Sequence, residues 1–147
     1  MQRIKPSKNE KHNAAVAELL SYSKLKNLIR VLEAKREEMR EKYIGPGAMS
    51  YDGVKVSGSS AHRDRLAEIA IQWADLDVEI VKKEIEAERI KSVIDYKLAM
   101  LTSLEARVLE LYYLKGYSRN KVASIMGYSD EWVKTTKRKA LEEYAKL

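Results

Sequence analysis

Between Leu101 and Leu147 the chain is punctuated at intervals that few folds tolerate. Three short stretches of helical periodicity follow one another. They are broken first by Lys115-Gly116-Tyr117-Ser118 and then by Met126-Gly127-Tyr128-Ser129. Each break pairs a glycine, which enters left-handed backbone conformation cheaply, with a serine that can cap the next helix. Upstream, Thr102-Ser103-Leu104-Glu105 has the spacing of a capping box, in which the threonine hydroxyl takes one orphan N–H and the glutamate reaches back to the cap. Short helices joined by turns this tight have to pack on each other, and the spacing is that of a helix-turn-helix.

The apolar residues agree with that arrangement. Leu104, Val108, Leu111 and Tyr112 should face inward from the first helix, Val122, Ala123 and Met126 from the second, and Val133, Thr136, Ala140 and Leu141 from the third. Ala123 stands where two helices cross closely and only a small side chain fits. The last helix, Asp130 to about Tyr144, then turns Asp130, Glu131, Lys134, Thr135, Lys137 and Arg138 outward. In helix-turn-helix proteins the N-terminal half of this helix enters the major groove of duplex DNA. Lys134 or Arg138 can reach guanine O6 and N7 or a phosphate, and Asp130 or Glu131 can accept from a base amino group. Carboxylates in a first turn also suit the helix dipole, whatever their partner. Arg119 and Lys121, at the start of the preceding helix, are placed to clamp a phosphate. Ser129 caps the last helix. Trp132 is expected to pack beside Tyr128, with contact to a thymine methyl as the alternative. These ten residues, Arg119, Lys121, Ser129, Asp130, Glu131, Trp132, Lys134, Thr135, Lys137 and Arg138, form the candidate DNA-binding set. Tyr112, Tyr113 and Tyr117 are expected in the core or at its rim, because duplex DNA offers no open base faces.

The remainder of the chain reads as helical support. Residues 1–12 are polar and read as a flexible tail. From about Asn13 to Tyr43 there is no Gly or Pro, and Leu25, Leu28, Leu32, Met39 and Tyr43 fall on one helical face. Four of the six glycines lie between residues 45 and 58, so residues 44–60 form a loop. A second long helix follows from about Ala61 to Leu98. Leu66, Ile69, Trp73, Leu76, Ile80, Ala87, Ile90 and Ile94 step by three and four along it, with Lys83 as the one polar break. A second seam, Ala67, Ile71, Ala74, Val78, Val81 and Ile85, lies roughly 150° around the same helix. A two-helix hairpin buries only one of these seams. The other must meet the first helix wrapping round, the helix-turn-helix packing back, or a second copy of the chain, and a homodimer through helix 61–98 is the favoured reading.

Composition narrows the function classes. Of 147 residues, 34% are charged and 7% aromatic, which suits long helices with thin cores better than sheets. Lys and Arg exceed Asp and Glu by six, and the excess sits at the two ends: residues 1–43 carry +5, 44–114 carry −3 and 115–147 carry +4. Such a balance favours polyanion partners, although basic residues also serve simply to solvate exposed helix faces. The absence of Cys removes disulfides, thiolate metal sites and thiol nucleophiles. The polar start, Met1-Gln2-Arg3-Ile4-Lys5-Pro6, is unlike a signal peptide, and no apolar run is long enough to span a membrane. His12 and His62 have no ligand-like spacing partner, and Asp75, Asp77 and Glu79 spread around a helix rather than converge. No enzyme, metal site or cofactor is expected, and the cytoplasm is the natural compartment.

At these residues the chain resembles the promoter-reading fourth region of sigma factors. The positions that carry the likeness are Glu105, Val108, Leu109, Leu111, Tyr113, Gly116, Ser118, Val122, Ala123, Gly127, Ser129, Val133, Ala140 and Leu141. The chain departs from the sigma pattern at Asp130, at Glu131 or Trp132, and at Lys134, where other residues, mostly basic, are usual. The fold carries over, therefore, without the sigma-type target sequence. Met49-Ser50-Tyr51-Asp52-Gly53, His62-Arg63-Asp64-Arg65-Leu66 and Leu76-Asp77-Val78-Glu79 further resemble phage and prophage late-transcription regulators of the RinA/ArpU type. That likeness implies an activator of phage late genes, and makes the compartment the cytoplasm of a bacterial host.

The expected fold is all-α: a long antiparallel helical hairpin over residues 13–100, an oligomerisation or partner-binding region, followed by a C-terminal helix-turn-helix domain over 101–147. The expected activity is sequence-specific binding of double-stranded DNA to regulate transcription. Two other readings stand beside it: a DNA-packaging adaptor resembling a small terminase subunit, which would assemble as a larger ring, and a module that grips host RNA polymerase.

Overall fold

The computed structural model describes residues 8–44 and 60–147, and every regular element among them is helical. Helix α1 runs Lys8–Ile44, α2 Ser60–Ala99, α3 Ser103–Leu109, α4 Arg119–Met126 and α5 Asp130–Ala145. The expected loop between α1 and α2, apart from its end residues, lies outside the described residues. Helix α1 begins at Lys8, ahead of the expected start at Asn13. Nothing from Ser7 to Asn13 breaks a helix, and the nearest proline, Pro6, precedes the first turn, where proline is tolerated.

The two long helices pair in opposite directions. Glu18 of α1 meets Lys97 of α2, and farther along α1 Arg36 meets Asp77, nearer the start of α2. The contacts divide the chain into two compact units, Met1–Leu25 with Ala87–Leu147, and Lys26–Glu86.

The second unit is a pair of helices with a thin core. Ile29 and Leu32 of α1 and Leu76 and Ile80 of α2 are buried, while Trp73 and Ile69 are half-buried. Two sequence expectations shift by one residue or one turn here. Ile29 takes the inward position, and Leu28, expected inside, is exposed; Leu66 at the start of α2 is exposed as well. At 100° per residue, neighbouring positions compete for one face, and the centre of the partner helix decides between them. Arg36 Nη1 donates to Asp77 Oδ1 at 2.7 Å on the rim. The second apolar seam stays uncovered: Ile71 is 62% exposed, Val78 53%, Val81 51% and Ile85 51%.

The first unit combines the start of α1 and the end of α2 with the three C-terminal helices. Ala15 and Leu19 of α1, Ile94 and Leu98 of α2, Leu109, Tyr113, and Ala140, Leu141 and Tyr144 of α5 form one buried cluster. Each large apolar side chain removed from water here contributes roughly 1.5–3 kcal/mol. Polar contacts tie the same helices together. Tyr144 Oη donates to Glu18 Oε1 at 2.5 Å, and Lys97 Nζ lies 2.9 Å from the same oxygen. Burial opposes ionisation of Glu18, yet the hydrogen bonds from Tyr144 and Lys97, with the lysine charge, hold its carboxyl below the usual range. Burial and the same carboxylate push the Tyr144 phenol up.

After Leu109 the α3 helix widens into a π-helical turn over Glu110–Leu114. Lys115 N donates to Glu110 O at 2.9 Å and Tyr117 N to Leu111 O at 3.1 Å. The widened turn carries the Tyr113 carbonyl to Ser23 Oγ, which donates to it at 2.6 Å. Tyr113 itself is buried, and burial, followed by the neighbouring Tyr112, pushes its phenol up to about 12.

Candidate nucleic-acid interface

Local side-chain caps build the reader, although the return half of the expected capping box is not made: the Glu105 carboxylate stands near Lys139 instead of the Thr102 N–H. Thr102 Oγ1 accepts from Glu105 N at 3.3 Å, Ser118 Oγ from Lys121 N at 3.3 Å and Ser129 Oγ from Trp132 N at 3.1 Å, so each short helix opens on a side-chain cap. Gly127 closes α4 in left-handed conformation, with φ 74° and ψ 27°. Val108, Leu111, Val122, Ala123 and Val133 are buried together, with Tyr112, Tyr117, Met126 and Trp132 packed at their edge. One expected core residue differs: Leu104 is 45% exposed. Glu105 occupies the inward position beside it. Its carboxylate is buried and stands 3.9 Å from Lys139 Nζ of α5.

The candidate DNA-binding residues fall into three groups. Arg119 and Asp130 form an ion pair, Nε to Oδ2 at 2.9 Å, which joins the first residue of α4 to the first residue of α5. Asp130 Oδ1 is buried and accepts no hydrogen bond among the described residues. The carboxylate is thus committed to holding the angle between the two helices. It also favours the α5 dipole, as does Glu131.

The second group is aromatic. Trp132 is half-buried and stacks on Tyr128, with ring centroids 3.8 Å apart and planes 13° from parallel. Lys121 Nζ lies 4.6 Å from the Tyr117 ring centroid, and Lys137 Nζ 4.0 Å from that of Tyr112. At these distances a cation is attracted by the ring face. The two lysines are therefore held against the surface rather than free to sweep.

The third group is the outer edge of α5. Glu131, Lys134, Thr135 and Arg138 are exposed. With Lys137 and Leu141 they line a cavity of about 340 Å³. Two residues from elsewhere complete it, His12 of α1 and Tyr113 of the π turn. His12 lies outside the helix-turn-helix pattern; Tyr113 belongs to it, but as a core or rim residue, and neither was singled out for the site from sequence. A signal existed for His12: it precedes the buried Ala15 and Leu19 at helical spacing, so it continues the face that α1 turns toward α5. A larger opening, about 590 Å³, shares Tyr113 and Lys137 with this cavity and is lined also by Tyr112, Tyr117, Arg119 and Asn120, among others. The described residues contain no cluster of His, Asp or Glu able to hold a metal ion, and no described helix is long and apolar enough to cross a membrane.

The fold of residues 103–145 is thus a helix-turn-helix with a cationic outer edge on its last helix, the class of domain that binds DNA. Residues 98–143 match the family described as Sigma-70, region 4. That family is a DNA-binding domain with a transcription-related role rather than an enzyme family. No curated protein and no solved structure matches the chain.

Proposed function

We propose that the chain is a sequence-specific regulator of transcription that binds double-stranded DNA, with α5 in the major groove and the first turn of α4 on the flanking phosphates. The observation that carries this reading is the exposure of Lys134, Thr135 and Arg138 along one edge of α5, in a segment that matches Sigma-70, region 4. Lys134 and Arg138 stand one helical turn apart and contact base edges or phosphates. Glu131 accepts from a base amino group. Arg119 and Lys121 contribute phosphate contacts, with Arg119 positioned by Asp130.

The finer reading is an activator of phage late genes of the RinA/ArpU type, acting in the cytoplasm of a bacterial host and contacting host RNA polymerase. It rests on the sequence likeness of the upstream helices and on the regulatory character of the matched family. A homodimer through α2 is part of this reading. Its support is the uncovered seam of Ile71, Val78, Val81 and Ile85, a contiguous apolar stripe of the kind that marks an interaction surface.

Selection of binding sites from random duplexes, followed by a salt titration on the selected site, tests the proposal. A recurring sequence bound with an affinity that falls steeply with salt is the expected result. Enrichment of no sequence, together with salt-independent binding, would remove it.

A further inference from the structure

The first turns of α1 border the edge of α5 that the proposed function places in the groove. His12 lines the same cavity as Glu131, Lys134, Thr135 and Arg138. The position is fixed rather than incidental. Ala15 and Leu19, one and two turns further on, are buried against α5, and Glu18 on the same stretch of α1 holds Tyr144 near the end of α5. Lys11 is exposed beside His12.

We propose that His12 belongs to the DNA interface and contacts a backbone phosphate next to the groove that α5 enters. This rests on the reading of α5 as the DNA-reading helix. Three arguments support it. Lys134 and Arg138, the residues proposed to meet the duplex, line the same cavity as His12. The charged side chains around that mouth are Lys134, Lys137 and Arg138 against Glu131 alone, so the cavity favours an anion. The available donors, an imidazole N–H, the Thr135 hydroxyl, ammonium and guanidinium groups, are those that phosphate oxygens accept from. A contact from α1 makes the long helix part of the reader and fixes the register of the duplex against α5.

The test uses the full chain and three variants, His12→Ala, His12→Arg and His12→Glu, with circular dichroism to confirm equal helicity. Binding to one mixed-sequence duplex is followed by fluorescence anisotropy across a salt series. His12→Arg should bind most tightly, and His12→Glu should lose about tenfold or more relative to it at low salt, since each phosphate contact made by a cation steepens the salt slope by about 0.9. Equal affinities and slopes for all four proteins would overturn the inference. So would tighter binding by His12→Ala and His12→Glu, which would mean that the start of α1 occludes the reading edge. If the unmodified chain itself bound duplex without salt dependence, the reading of α5 would fail first, and the variants would distinguish that outcome from a failure at His12 alone.

Discussion

Tyr144, three residues from the C-terminus, donates its phenolic hydrogen to Glu18 in the first helix at 2.5 Å. The bond closes 126 residues of chain and seats the last helix of the reader on the start of α1. It replaces solvation for a carboxylate that is only partly exposed and that Lys97 also holds. Removing the hydroxyl by Tyr144→Phe should destabilise the first unit by roughly 1–2 kcal/mol, the range for a hydrogen bond to a charged group at a partly exposed site. Thermal denaturation should show a lower midpoint for the variant.

The same carboxylate gives a pH dependence with a defined sign. The folded-state pKa of Glu18 lies below its ordinary value of 4.5. Its contribution is therefore complete above the unfolded value and is lost as pH falls through the folded one. Glu18→Gln should be less stable than the unmodified chain near neutrality. The two melting-temperature curves should converge as the pH is lowered past 4.5. A constant gap between the curves would show that the group does not titrate as described.

At the junction of α4 and α5, Asp130 both restrains Arg119 and places a negative charge at the proposed DNA surface. Asp130→Ala should free the guanidinium for phosphate and remove repulsion, so non-specific duplex affinity should rise. Stability should fall by no more than about 1 kcal/mol, because the pair is half-exposed and the dipole contribution is small. Parallel melting and salt-titration measurements check both halves of the prediction.

The exposed seam of α2 makes a claim about assembly. Val78→Asp with Val81→Asp puts charge into the stripe while leaving the opposite, buried face of α2 untouched. Sedimentation should report a dimer for the unmodified chain at micromolar concentration and a monomer for the double variant, with unchanged helicity. A monomer in both cases would remove the homodimer. Eight or more copies in the unmodified protein would instead favour the ring-forming packaging adaptor.

What could be read in advance depended on how local its cause was. The three caps, the left-handed Gly127, the burial of Val122, Ala123 and Val133, and the stacking of Trp132 beside Tyr128 follow from neighbours a few residues away, and the structure reproduces them. Leu104 and Leu28 show the limit of periodicity. Each sits one position from the true face, and only the partner surface selects Glu105 and Ile29 instead. The π turn at Glu110–Leu114 has no sequence punctuation, because no Gly or Pro marks it; its geometry is tied to the Ser23 hydroxyl ninety residues away. For the same reason the seat of α1 against α5, and with it His12 at the edge of the reader, lay beyond a reading of local motifs. It is the product of long-range packing between Leu19, Leu141 and Tyr144.

The outer edge of α5 is the proposed reading surface for duplex DNA. Lys134 and Arg138 are exposed and lie outside both buried clusters, so replacing both with Ala should leave the fold intact. The direct measurement is the affinity of this double variant for the selected duplex across a salt series, beside its melting temperature. The predicted result is loss of specific binding, a salt slope shallower by up to about two phosphate contacts, and an unchanged melting temperature. Undiminished specific binding by a folded double variant would contradict the assignment of α5 as the reading helix.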